Sequence, residues 1–134
     1  MYEWLREYQK LIEEIDYLSF RLDQSEAELK RWVEGDLQNV PLQRESIAAN
    51  LEESIQAIMK EIKFKVEQRD KLLQLVDTFK GLDHRILKMK YVDGLTLEII
   101  AEELNYSTSH IRKRHAELIR TIKFVEMYHS SSLT

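Results

Sequence analysis

Apolar residues recur at helical spacing through most of the chain, and the first such segment runs from Tyr2 to Val33. Within it and at Met1 just before it, two interleaved sets of positions repeat every seven residues, and nine of the ten positions are apolar or aromatic. The sets are Met1, Tyr8, Ile15, Leu22 and Leu29, and Trp4, Leu11, Leu18, Ser25 and Trp32. A sustained seven-residue repeat is typical of a coiled coil, so the pattern predicts one long helix with an apolar seam.

A second helical segment runs from Leu42 to Phe79 and is separated from the first by Gly35 and Pro41. Glycine ends helices readily and proline is tolerated in a first turn, so these two residues predict the loop of a helical hairpin. The second seam comprises Ile47, Leu51, Ile55, Ile58, Ile62, Val66, Leu73, Val76 and Phe79. We therefore predict an antiparallel coiled-coil hairpin over residues 1–80 that serves interaction or oligomerisation.

Two features of the hairpin leave alternatives open. Lys65, Arg69 and Asp70 interrupt the second seam, either as a polar contact that sets specificity or as charged side chains that extend to solvent at its margin. Tyr17 and Phe20 lie away from the first seam, three residues apart. They are either isolated surface aromatics or a contact for another chain.

Beyond residue 80 the apolar positions predict three shorter helices. Gly81 either ends the preceding helix as a hinge or marks a kink through which the helices run on, and Asp83 is placed as the cap of a helix that runs to Tyr91. The apolar residues of this helix are Leu82, Ile86, Leu87 and Tyr91. Because two short helices alone bury too little apolar surface, we expect it to complete a three-helix domain over residues 81–129.

The last two helices are joined by a tight turn. The first of them follows Gly94, which accepts a positive φ, and Thr96 is placed as its N-cap. Asn105 can adopt a left-handed conformation in the turn, and Ser107 is placed as N-cap of the last helix. The inward-facing residues are Leu97, Ile100, Ala101 and Leu104, then Ile111, Leu118, Ile119 and Ile122. Helices joined in this way are typical of a helix-turn-helix.

Polar and basic residues occupy the other side of the last helix. Thr108, Ser109, Arg112 and Lys113 lie together in its first two turns, which is the end of a recognition helix that enters a major groove. Residues 107–123 include five basic side chains against one acidic one, although the whole chain has a net charge of −4. The positive charge is local and predicts contact with DNA phosphates. Residues 1–82 hold 12 basic and 17 acidic side chains, which favours a protein-binding surface instead.

The segment LDHRILKMKYVDGLTLEIIAEELNYSTSHIRKRHAELIRTI resembles region 4 of bacterial sigma-70 factors. In that region a tyrosine-x-x-glycine-leucine-threonine turn precedes an IAEEL helix and a serine-capped recognition helix. The chain is also similar to a family of small proteins from phages and mobile elements of low-GC Gram-positive bacteria. These couple an N-terminal helical hairpin to the same domain and include late-gene regulators of the autolysin-regulatory-protein type.

The resemblance implies particular site residues. By position it puts base contacts at Thr108, Ser109, Arg112 and Lys113. We expect phosphate contacts from Thr96, Ser107, His110, Arg114 and Arg120. Arg114 stands where the family usually has an apolar residue, so helix packing and phosphate contact both remain open at that position.

Composition narrows the class of protein. With 33% charged and 43% hydrophobic residues, three Gly and one Pro, the chain is typical of a soluble all-α protein. It has no Cys, which excludes a disulfide framework and a thiolate metal site. The first residues, MYEWLREYQK, lack the apolar core of a signal peptide, and no apolar run approaches the ~20 residues of a membrane span. We expect a cytoplasmic protein with no membrane contact and a disordered tail over residues 130–134.

Catalysis finds no support in the sequence. The four histidines are His84, His110, His115 and His129, and none forms a metal-binding pattern. His115 is expected to be a half-buried packing residue. The chain has no glycine-rich phosphate loop and no nucleophile elbow. We therefore expect no catalytic residue, no metal and no cofactor, and a protein that is not an enzyme.

Three functions remain. The first is a sequence-specific transcription regulator of phage or mobile-element origin that binds double-stranded DNA as a homodimer, its hairpin dimerising or contacting RNA polymerase. The second is a DNA-packaging protein such as a small terminase subunit. The third is a module that keeps a region 4 fold to bind polymerase or a sigma partner and no longer reads DNA. A dimer favours the first, and eight or more subunits favour the second.

Overall fold

This computed structural model describes residues 1–35 and 44–133, with side chains as far as Tyr128. Over these residues the protein is all-helical, with six α-helices and no strand, as the sequence predicts. The helices are α1 (Tyr2–Arg6), α2 (Tyr8–Val33), α3 (Arg44–Thr78), α4 (Gly81–Leu87), α5 (Leu97–Leu104) and α6 (Thr108–Leu133). A π-helical segment, Lys88–Val92, continues α4.

Some predicted boundaries differ from the observed ones or lie outside the described residues. The hairpin loop predicted to end at Pro41, and the predicted start of the second helix at Leu42, lie outside the described residues. Helix α6 continues to Leu133, where the sequence predicts a disordered tail from residue 130. None of the described helices has an apolar stretch of the length needed to cross a lipid bilayer.

The first predicted helix is divided in two. Glu7, between α1 and α2, has φ −97° and ψ 9°, so its ψ lies outside the α-helical range. Its backbone N–H donates to the carbonyls of both Glu3 and Trp4, as is common at the end of a helix. Leu5, just before the break, is fully buried. The break therefore separates a short anchored helix from the long one that follows.

The chain forms two compact units. One, called here the C-terminal unit, comprises residues 1–10 and the chain from Gln68 onward; the other, the helical-pair unit, comprises residues 11–67. The sequence assigns the first ten residues to the hairpin, whereas the structure groups them with the C-terminal helices.

In the helical-pair unit α2 packs on α3 around Leu11, Ile15 and Ile55, which are at most 8% exposed. The Nζ atom of Lys65, late in α3, donates to Oε2 of Glu14, early in α2, at 2.6 Å. The two helices therefore run antiparallel. Their pairing buries apolar side chains on one face only, as their helical periodicity predicts.

Lys65 is one of the three residues that interrupt the predicted seam. Its side chain is 19% exposed and also lies 3.4 Å from Glu61, one turn earlier on α3. The hydrogen bond to Glu14 raises the pKa of Lys65 above its usual value. The structure shows a polar contact between α2 and α3 at Lys65.

The core of the C-terminal unit is formed by apolar residues from every helix that contributes to it. The residues at most 8% exposed are Leu5, Tyr8, Leu72, Val76, Ile86, Leu87, Tyr91, Ile100, Ala101, Ile111, Leu118, Ile119 and Ile122. Each of these positions from residue 86 onward is predicted by the sequence to face inward. Burial of apolar area on this scale is the main stabilising contribution to such a domain.

Candidate nucleic-acid interface

The chain enters α5 through the turn that the sequence predicts. Gly94 has φ +76°, a backbone conformation that residues with a Cβ rarely adopt. The Thr96 hydroxyl accepts a hydrogen bond from the N–H of Ile99 at 3.3 Å, so Thr96 is the N-cap of α5. The side chain of Gln9 packs against Gly94, its nearest atom 3.5 Å from where a Cβ would lie. Both predictions for this turn are confirmed.

The turn between α5 and α6 also has the predicted geometry. Asn105 adopts the left-handed conformation, with φ 60° and ψ 41°, and ends α5. The Ser107 hydroxyl accepts a hydrogen bond from the N–H of His110 at 3.1 Å and so caps α6. The rings of Tyr106 and His110 stack with their centroids 5.0 Å apart. Local hydrogen bonds therefore determine where α6 begins.

The four candidate base-contacting residues lie in the first two turns of α6. Ser109, Arg112 and Lys113 are exposed and Thr108 is half-buried. Ile111, on the inward side of the same turns, is fully buried. The N-terminal part of α6 thus presents a polar and basic surface to solvent while its other face is anchored in the core.

Arg112 has a neighbour that the sequence does not predict. Its guanidinium is ion-paired with the carboxylate of Glu98, in the first turn of α5, and both side chains are more than half exposed. The hydrogen bond from Arg112 is the main cause that lowers the pKa of Glu98. The periodicity of α5 places Glu98 correctly on the outer face but carries no signal for a partner fourteen residues away.

Arg114 faces away from the other basic residues. Its guanidinium donates to both carboxylate oxygens of Asp83 on α4, at 2.6 and 2.7 Å, and to Glu117 at 3.0 Å. The hydrogen bond from Arg114 holds the pKa of Asp83 below its usual value. A bidentate pair of this kind occupies the donors that a phosphate would need. Arg114 therefore joins α6 to α4 in this structure.

The same pair corrects the prediction for Asp83. The sequence predicts Asp83 as the cap of its helix, but α4 begins at Gly81 with Lys80 as N-cap. Asp83 is inside the first turn, where a negative charge is favourable next to the helix N-terminus. Its carboxylate is turned to Arg114, a contact between residues 31 positions apart.

The remaining basic residues of α6 share one face. At about 100° per residue, Arg112, Lys113, Arg120 and Lys123 fall within an arc of roughly 100°, and Arg114 lies outside it. All four are exposed. Among the other predicted phosphate contacts, Thr96, Ser107 and His110 are exposed too, the two hydroxyls acting as helix caps.

His115 is the half-buried packing residue that the sequence predicts. Its Nε2 lies 2.7 Å from the Tyr91 hydroxyl, and the two rings stack with their centroids 5.8 Å apart. Burial, and then the charge of Lys90, lower the pKa of His115. The imidazole is therefore neutral near pH 7, and its Nε2 shares a hydrogen bond with the Tyr91 hydroxyl. In the described part of the chain, no three His, Asp or Glu side chains are grouped to hold a metal ion.

Two helices joined by a tight turn, the second with an exposed N-terminal half and a buried opposite face, define a helix-turn-helix. Residues 79–123 match the family model Sigma-70, region 4. The match covers about a third of the chain and extends from the end of α3 to the middle of α6. No curated protein and no solved structure matches the chain.

The matched segment includes every element of the candidate interface, from Asp83 to Lys123. Region 4 is a DNA-binding regulatory domain and not an enzymatic one, so the match supports a DNA-binding helix-turn-helix role for this part of the chain. It also includes the four residues that resemblance to the sigma factors marks as base contacts.

Proposed function

We propose that the protein is a sequence-specific, DNA-binding transcription regulator of phage or mobile-element origin, in which the N-terminal half of α6 lies in the major groove. The observation that carries the proposal is the exposed group Ser109, Arg112 and Lys113 at the capped start of a helix whose other face is buried. A rigid helix end that bears arginine is suited to read guanine through its O6 and N7 atoms.

Binding requires Arg112 to exchange one partner for another. In the free protein Arg112 is paired with Glu98, an exposed interaction of the kind that contributes little to stability. A guanine edge or a phosphate offers hydrogen bonds to the same guanidinium. Breaking the pair with Glu98 therefore costs little free energy. Until DNA is bound, Glu98 holds Arg112 on the outer side of the helix.

Phosphate contacts supply much of the affinity in this proposal. Arg120 and Lys123 lie on the same face of α6 as the base-contacting residues, His110 is in the first turn of α6, and Thr96 is the exposed N-cap of α5. Phosphate contacts release counterions, so affinity should fall steeply with salt. We do not include Arg114, because Asp83 and Glu117 occupy its donors.

The helical pair serves association in this proposal, either as the dimer contact or as the contact with RNA polymerase. Tyr17 and Phe20 on α2 are 62% and 59% exposed. Exposed aromatic side chains close together on one helix are typical of protein contacts. Residues 11–67 hold 7 basic and 13 acidic side chains, which makes the helical-pair unit a poor surface for DNA.

Selection of duplexes from a random library, followed by fluorescence anisotropy with the selected duplex, tests DNA reading. We expect the double variant Arg112→Ala, Lys113→Ala to lose affinity and sequence preference. The matched control, Arg21→Ala with Lys30→Ala, removes the same charge from exposed positions of α2 and should bind normally. If no duplex is enriched, or if both double variants bind equally, the proposed reading role is rejected.

Light scattering tests the proposed association. We expect a dimer for the protein and a smaller mass for Tyr17→Ser, Phe20→Ser, with unchanged helix content by circular dichroism. An assembly of eight or more subunits would favour DNA packaging instead. A monomer that binds RNA polymerase and selects no DNA would favour the interaction module without DNA reading.

A further inference from the structure

The helix α1 and the helix-turn-helix enclose a basic cleft. It has a volume of about 290 Å³ and is lined by Tyr2, Arg6, Gln9, Lys90, Tyr91 and His115. Two of these residues carry a positive charge, none is acidic, and His115 is neutral near pH 7 for the reasons given above. A cleft with this lining is suited to an anion.

The helix α1 is held firmly against the C-terminal unit. Leu5 is fully buried, and the backbone N–H of Tyr2 donates to the carboxylate of Glu126 on α6 at 2.8 Å. The side-chain amide of Gln9 donates to the carbonyl of Tyr91 at 3.3 Å and to that of Val92. Arg6 is therefore positioned by contacts on both sides of it along the chain.

Arg6 is exposed and lies close to other positively charged side chains. Its guanidinium carbon lies 5.9 Å from the centroid of the Tyr2 ring, and Lys123 Nζ on α6 lies 4.5 Å from the same centroid. Contact with an aromatic face leaves the N–H donors of a guanidinium available at its edge. The two positive charges thus flank one ring at the border between α1 and α6.

The cleft adjoins the candidate base-contacting residues. Lys90, on its wall, is close enough to Glu98 for its charge to affect that carboxylate, and Glu98 is paired with Arg112. Positively charged side chains are therefore neighbours along the surface of this unit, in the order Arg112, Lys90, Arg6 and Lys123. A duplex that receives the start of α6 in its major groove has its phosphates along such a border.

We infer that α1 is part of the DNA-binding surface and that Arg6, beside Lys90 in this cleft, contacts a phosphate of the DNA backbone. This inference rests on the proposed function and adds a segment that lies outside residues 79–123, the part matched by the family model. Because Arg6 is exposed at this cleft, it is accessible to the phosphates of a polymer that approaches from outside.

The test compares Arg6→Ala with Arg21→Ala, which removes one exposed positive charge from α2. Affinity for the selected duplex is measured at several salt concentrations. One phosphate contact contributes about 0.9 to the slope of log K against log salt concentration, which corresponds to roughly five- to tenfold in affinity near 0.1 M salt. We expect Arg6→Ala to lose this affinity and this part of the slope, equally on selected and unrelated duplexes.

The control Arg21→Ala should retain the affinity and the slope of the unmodified protein. Arg6→Lys, which keeps the charge, should recover most of the loss, and thermal unfolding should show that Arg6→Ala is folded. If Arg6→Ala and Arg21→Ala behave alike while the protein binds DNA, the inference is wrong and the proposed function stands. If the unmodified protein binds no DNA, both are wrong.

Discussion

The two compact units bury their apolar residues to different extents. In the C-terminal unit, residues from α1, α3, α4, α5 and α6 are fully buried, among them Leu5, Leu72, Ile86, Ile100 and Ile111. In the described part of the helical-pair unit, only Leu11, Ile15 and Ile55 are below 9% exposed. Both units also expose large apolar side chains. In the helical pair these are Tyr17, Phe20, Val33, Met59 and Phe64, and in the C-terminal unit they are Met1, Ile99, Tyr106, Phe124, Val125, Met127 and Tyr128.

This difference indicates that the C-terminal unit is stabilised by its own core, whereas the helical pair leaves apolar surface that we expect to contact another chain. The C-terminal unit closes its core with its own residues, presents polar and basic side chains at the start of α6 and exposes apolar ones near the end of that helix. The helical pair has one apolar face in contact and further aromatic side chains at its surface, which is common in segments that associate with another chain. We therefore expect substitutions in the first unit to change folding or DNA binding, and those on the outer face of the second to change association.

The largest expected effect is at Leu5, which the sequence assigns to the hairpin. Because its side chain is fully buried in the C-terminal unit, Leu5→Ala should reduce the free energy of unfolding by about 2–4 kcal/mol. Urea denaturation followed by circular dichroism measures the change. Leu18→Ala, at a half-buried position of α2, is the control and should cost less. Equal losses would contradict the difference between the two units.

The second effect concerns DNA binding and separates two arginines of α6. Arg112→Ala should cost about 1–3 kcal/mol of binding free energy for the selected duplex and relax its sequence preference, because a base contact is lost. Arg120→Ala should weaken selected and unrelated duplexes to the same extent, because only a phosphate contact is lost. Anisotropy titrations on both duplexes measure this. A loss of preference in Arg120→Ala, with none in Arg112→Ala, would reverse the assignment.

The sequence predicts those parts of the site that depend on neighbouring residues. Thr96 and Ser107 cap their helices and Asn105 is left-handed, because each conformation is determined within four residues of chain. The inward-facing residues of α5 and α6 are predictable for the same reason, since a period of 3.6 residues defines a helix face.

The contacts that the sequence does not predict join residues far apart in the chain. Asp83 meets Arg114 across 31 positions, and Gln9 meets Tyr91 across 82. Neither pair leaves a periodic or local signal, and Asp83 has the residue type of a good N-cap. The break at Glu7 is missed because the seven-residue repeat of apolar positions continues through it. These long-range polar contacts could therefore be identified only from the structure.

The third effect tests the contact between α4 and α6. Asp83→Asn removes the charge from a bidentate pair that is partly exposed, so we expect a loss of about 1 kcal/mol in the free energy of unfolding near pH 7. The pKa of Asp83 is lowered in the folded state. Its contribution is therefore present above the unfolded value near 3.8 and disappears as the pH falls through the folded value.

Urea denaturation of Asp83→Asn from pH 7 to pH 3 measures this contribution. The difference from the unmodified protein should begin to shrink below pH 3.8, because the unfolded carboxylate then takes up a proton more readily than the folded one. Asp77→Asn, at an exposed position of α3, is the matched control and should change stability little at any pH. A constant difference at all pH values would show that the charge of Asp83 does not stabilise the fold.

The smallest effect is expected at His115, in the same unit. Its pKa is lowered from the usual 6.5, first by burial and then by the charge of Lys90, while Arg6 and the Tyr91 hydroxyl line the same cleft and no acid does. The unfolded chain therefore binds a proton more readily than the folded one. The contribution of His115 to stability is therefore fully present above pH 6.5 and is lost as the pH falls from there toward the folded value.

His115→Gln cannot take up this proton, so its stability should depend less on pH between 7 and 5 than that of the unmodified protein, by less than about 1 kcal/mol. The comparison uses the change with pH, because lost packing lowers the stability of the variant equally at each pH. His110→Gln, at an exposed position of the same helix, is the matched control. If both variants keep the full acid sensitivity, burial of a neutral imidazole is not its cause. His115 then takes up a proton as readily in the folded protein as in the unfolded chain.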